Sequence, residues 1–202
     1  MYKRQYVDVS KQFLIQDSAS AEEMLKRDIV NAISDKLEAT ILGSAAGSAT
    51  MPAGIFNGVT PETKDITYKR LVDMETALEE ANVAGNKCFI VSPSAKGILK
   101  TTAKDALYNV TDGGVHTCVG CAGCLMEENE VNGYPVYCTS NVTGKGVVMG
   151  HFEDFVIGQW GGIDLTVDPY TQAANGKVRL VINAYFDAKP RRTGSFQKAI
   201  LK

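Results

Sequence analysis

Three cysteines recur at a fixed spacing, Cys118-x-x-Cys121-x-x-Cys124, with His116 just upstream and Cys138 further along. Thiolates so spaced can hold a tetrahedral zinc ion, with Cys138 or His116 as the fourth ligand. A bacterial iron–sulfur run would need a fourth cysteine three residues on and then a proline; Leu125-Met126-Glu127-Glu128 stands there instead. The competing reading is that small, soft cysteines fill a turn region rich in Gly and Ala without metal. Even a bound zinc would staple a loop here more readily than catalyse. The expectation is therefore no metal and no cofactor, with these five side chains the ones that would bind a metal. Five cysteines in all is an odd number, which fits a closed disulfide framework poorly, so reduced thiols are expected.

Acid–base chemistry has few other carriers. Of the two histidines, His151 has Glu153 and Asp154 nearby, so a proton-transfer role can be written for it. Its neighbours Gly150 and Phe152 favour a plain reading, an exposed turn histidine between strands. No G-x-S-x-G elbow is present. The glycines of Gly43–Ser48 follow a helical pattern, whereas a phosphate-cradling loop follows a strand and opens a helix. Gly144-Lys145-Gly146 reads as a hairpin turn, and Trp160 with Gly161-Gly162 as a strand end and turn. No catalytic residue is assigned, and the chain is not expected to be an enzyme.

The elements that would position these residues belong to a chain of 202 residues and 21.8 kDa, enough for one sizeable core or two modest lobes. A net charge of -2 with scattered basic residues argues against a phosphate-binding surface; Lys189, Arg191 and Arg192 form the densest basic group besides Lys3 and Arg4. No apolar run approaches the ~20 residues that cross a bilayer, and the N-terminus lacks a signal-peptide core. A soluble protein made in a cytosol is expected, so the glycosylation patterns at Asn109 and Asn141 carry no meaning.

The longest helical pattern runs from Ser20 to Gly43. Leu25, Ile29, Ile33, Leu37 and Ile41 recur every fourth residue, and Met24, Val30 and Ala32 widen the stripe. Ser20 and Glu23 form a capping-box pair, and Gly43 is a left-handed stop. Such a helix is on the order of 33 Å long, a backbone on which other layers lean. Ahead of it Val7, Val9, Phe13 and Ile15 alternate as a strand. A long uncharged loop with Pro52 follows the helix. A second helix over Ile66–Asn82 comes next, then a strand at Cys88–Val91 buried on both faces. A third helix, Pro93–Lys104, is capped by Ser92. After an irregular stretch from Tyr108 to Glu130, strands are predicted at Val136–Cys138, Gly146–Met149 and Phe155–Trp160. The alternations Ile163–Val167 and Val178–Phe186 predict two further, half-buried strands. The class is α+β, with helices early and antiparallel strands late.

Taken in order, these phrases resemble the HK97-fold major capsid proteins of tailed bacteriophages. The resemblance lies in Val9–Ser18 running into the long helix, the helix end Ala39–Gly43, Pro52–Phe56, Lys87–Ser94, Asn132–Val136, Met149–Phe155 and the closing Lys177–Asp187. It covers nearly the whole chain. It implies an HK97-like fold with a peripheral domain over 1–58, whose spine helix is 20–42. A mostly axial domain would fill 59–186, and 187–202 would return to the peripheral domain. It also implies a structural role: self-assembly into the icosahedral head of a phage or prophage.

The partners implied are other copies of the chain in pentamers and hexamers, with scaffold, portal and maturation protease beside them. Packaged double-stranded DNA would be met only non-specifically, and no membrane is involved. The implied location is the virion capsid, assembled in the bacterial cytoplasm. Closed shells arise from contacts between identical chains, which suits long rigid elements without catalytic apparatus. The family's N-terminal arm and extended loop have no full counterpart in the residues before Ser20, and no residue pair matches the namesake's covalent crosslink. Two other readings stay open: an encapsulin-like nanocompartment shell, and a small metal-binding protein or enzyme built on the cysteine cluster.

Overall fold

The computed structural model describes residues 2–12, 18–104, 111–112, 115–116 and 123–202. The predicted strand positions Phe13 and Ile15, and the cysteines Cys118 and Cys121, lie outside them. The chain forms two compact units, one of residues 1–41, 47–53 and 157–189, the other of 42–46, 54–156 and 190–202.

Among the described residues the first unit packs one long helix on one sheet. Helix α1 spans Ser18–Ile41, 24 residues and about 36 Å at the usual rise. It begins two residues before the expected cap, so Ser20 and Glu23 fall inside it; Ala19 and Ala21 are strong helix formers that favour the earlier start. Strand β10 (Lys177–Pro190) is the long central strand of the sheet. Along one side it pairs antiparallel with β1 (Tyr2–Ser10), from Tyr2↔Tyr185 to Ser10↔Lys177. Every second residue of β10 turns to the helix: Ile182, Ala184 and Phe186 are buried against Ile33, with Ile29 and Leu37 packed beside them. Period two meets period four along one seam. Met24 and Val30, expected to widen the buried stripe, are instead exposed, because the contact is only as wide as that seam.

Along its other side β10 pairs with β8 (Phe155–Gln159) and β9 (Asp164–Asp168). Trp160 donates its backbone N–H to Tyr185 O at 3.1 Å, and the next registered pair is Asp164↔Asn183. Four residue steps on one strand therefore oppose two on the other. The excess bulges out at Gly161-Gly162, where Gly161 takes φ +73.

The second unit centres on a five-stranded sheet ordered β11-β7-β2-β6-β5. In chain order these are β2 (Cys88–Val91), β5 (Glu130–Val131), β6 (Tyr134–Cys138), β7 (Gly146–Gly150) and β11 (Phe196–Ile200). Two-residue strands β3 (Thr111–Asp112) and β4 (Val115–His116) pair separately. Helix α2 (Tyr68–Glu80) buries Leu71, Met74 and Leu78; Thr67 caps its start. Helix α3 (Pro93–Thr101) is capped as predicted, Ala95 N–H donating to Ser92 Oγ at 3.1 Å, but it ends before Lys104. Both contribute to one core with Phe89, Val91, Val147 and Met149. The β5–β6 turn is Asn132-Gly133, both at positive φ, the pairing a two-residue hairpin requires.

Several expectations change. In β2, Phe89 and Val91 are fully buried while Cys88 and Ile90 are partly exposed, so the helices cover one face more completely than the other. Strand β2 pairs parallel with β6 and antiparallel with β7, so the later strands are not all antiparallel. Gly144-Lys145-Gly146 is a turn but joins no hairpin, because β2 lies between β6 and β7. The division at 58 and 186 is not the observed one. Residues 157–189 stay with the long helix because β10 pairs with β1, and 190–202 join the second unit because β11 pairs with β7.

Candidate functional site

The cysteine cluster is only partly within the described residues. Strand β4 ends at His116, and Cys118 and Cys121 lie beyond description. Cys124 is disulfide-bonded, contrary to the expectation of reduced thiols, so its sulfur is not a free thiolate here. Cys138 is a free, exposed thiol at the end of β6. Cys88 is free and half-buried, and burial pushes its pKa up, away from the reactive thiolate. Among the described residues no three His, Cys, Asp or Glu side chains converge as a metal site would require.

His151 is not the exposed turn residue expected, since its side chain is only 12% accessible. Its Nδ1 lies 2.8 Å from the carbonyl of Asn86. A carbonyl only accepts, so Nδ1 carries a proton and Nε2 is left 3.7 Å from Glu153 Oε2. The ring sits over Gly85, which has φ +96 and no room for a Cβ: one built there would be 2.5 Å from the imidazole Cε1. Next to it, buried Ser195 donates its hydroxyl to Asp154 Oδ2 at 2.5 Å. Ser, His and Asp are thus neighbours, yet the order is wrong for nucleophile activation. The hydroxyl bonds the carboxylate and not the imidazole, and His151 meets Ser195 only through backbone, N–H to O at 3.2 Å. These bonds tie a loop together.

What the first unit does offer is uncovered apolar surface. Trp160 is 60% exposed on the bulged edge, with Ile157, Ile163, Leu165 and Val167 along the same pair of strands and Tyr185 on β10. Leu165 registers opposite Ile182 and Val167 opposite Leu180, so both lie on the helix-bearing face of the sheet. One helix does not reach them. The alternation that predicted a half-buried β9 is real, but the side meant to be buried has no cover within the described residues. Trp160 is held over Gly158, where an added Cβ would be 3.0 Å from the ring. On the opposite edge Arg179 grips Asp8 with Nε–Oδ1 2.7 Å and Nη2–Oδ2 2.9 Å, and its guanidinium stacks 4.2 Å from the Tyr6 ring centroid. That pair holds the Asp8 carboxyl below the usual carboxylate range. Rigid framing around open apolar residues is what a contact surface needs, and sequence reading missed it because Trp160 looked like punctuation.

The phage capsid family profile matches residues 4–199. The chain belongs to that family. A curated relative, the major capsid protein of Halomonas phage phiHAP-1, is 26% identical over 199 residues, which cover 96% of this chain and 31% of that protein. The chain thus spans about a third of the length of that curated relative. Among solved structures, a chain of Microbacterium phage Oxtober96 superposes with a TM-score of 0.72 at 10% identity, covering all of this chain and 72% of that one. The capsid of an empty GTA particle gives 0.71 at 16% identity, over all of this chain and 71% of its own. The SrpI encapsulin of Synechococcus elongatus PCC 7942 gives 0.64 at 12%, over 99% and 73%. The fold of this phage capsid family member is accordingly the HK97-like α+β fold. No helix among the described residues is long and apolar enough to cross a membrane.

Proposed function

We propose that this chain is the shell-building part of a phage major capsid protein, and that it acts by contact between copies of itself, without catalysis. The observation that carries the reading is the family match across residues 4–199. The open apolar residues on both faces of the edge at Trp160 support it, since exposed large apolar side chains gathered on one edge mark interaction sites. In this reading the first unit is the peripheral domain, with α1 as its spine, and the second unit is the axial domain. Copies gather as pentamers and hexamers in the virion capsid, with scaffold, portal and maturation protease as further partners. Double-stranded DNA is enclosed without sequence recognition, and assembly takes place in the bacterial cytoplasm. Electron microscopy of the whole gene product expressed alone should show shells, sheets or capsomer rings. A monodisperse monomer at high concentration and under crowding would overturn the proposal.

A nanocompartment shell is the second reading, favoured by the superposition on an encapsulin. Neighbouring genes separate the two: terminase, portal and protease genes accompany a phage head, a cargo-enzyme gene a nanocompartment. A metal role for Cys118, Cys121, Cys124, Cys138 or His116 is tested by elemental analysis of protein purified without chelator, together with Cys121→Ser. The disulfide at Cys124 weighs against it.

A further inference from the structure

We draw no further inference here: the strongest candidate, the exposed apolar strip about Trp160 on the bulged edge of the first unit's sheet, belongs to the contact surface already described, and nothing in the structure shows what covers it.

Discussion

Two single residues show how local geometry can be tested. Asp8 and Arg179 face each other across β1 and β10, and the guanidinium depresses the Asp8 pKa below its ordinary 3.8. A carboxylate whose folded pKa is depressed contributes stability above its unfolded value and loses it as pH falls through the folded one. Asp8→Asn should therefore melt below wild type at pH 7, and the gap should close as pH drops below 3.8. Thermal unfolding across that range checks it, and a gap that persists unchanged into acid would show that the ion pair is not its source. At Gly85 the cost is steric. An alanine there meets the His151 ring and adopts a backbone angle that L-residues avoid, so Gly85→Ala should destabilise by roughly 2 kcal/mol or more in urea unfolding. In a His151→Ala background the clash is gone and the same change should cost only about 1 kcal/mol. Equal costs in both backgrounds would place the strain in the backbone alone. The Asn132-Gly133 pair was visible in sequence as a break before a strand. The Gly85–His151 contact was not, because 65 residues separate His151 from the Asn86 carbonyl that holds its ring.

At the scale of elements, hydrophobic periodicity located α1, α2 and α3 and most later strands within a few residues, because one apolar face is a local property. It did not say how much of each face would find a partner. Leu78 and Val30 illustrate the difference: both continue an apolar stripe, but Leu78 is fully buried against the second unit's core and Val30 is half exposed. Leu78→Ala should cost about 2–5 kcal/mol in denaturant unfolding, whereas Val30→Ala should stay within about 0.5 kcal/mol. A large loss at Val30 in isolated protein would mean that it is packed in solution. Burial along β9 was misjudged for the same reason. The alternation of Ile163, Leu165 and Val167 with polar residues reports the pleat, and the pleat alone does not supply the covering layer.

For the whole molecule, the two-unit division depends on which distant segments pair. Strand β10 reaches back to residues 2–10, and β11 to β7, so a linear reading cut at 58 and 186 could not find it. The same pairing explains why the first unit carries most of the described large apolar side chains left exposed: it pairs one helix with a sheet whose outer strands extend past it. In a protein that works alone, such a strip is an aggregation liability; in a shell subunit it becomes core when copies meet. The two cases make opposite demands on Trp160. If the strip is an assembly contact, Trp160→Ala should leave the unfolding free energy of dissociated subunits within about 0.5 kcal/mol of wild type, since the side chain is 60% exposed. It should nevertheless cut the association constant by tenfold or more, as loss of a central aromatic anchor does, about 1.4 kcal/mol or more per contact. Sedimentation velocity across a concentration series reads this directly, with electron microscopy to score closed particles. Leu165→Ser combined with Val167→Ser, on the other face of the same edge, should act in the same direction. Assembly indistinguishable from wild type in both variants would move the contact surface off this edge and leave its apolar residues without a role in the shell.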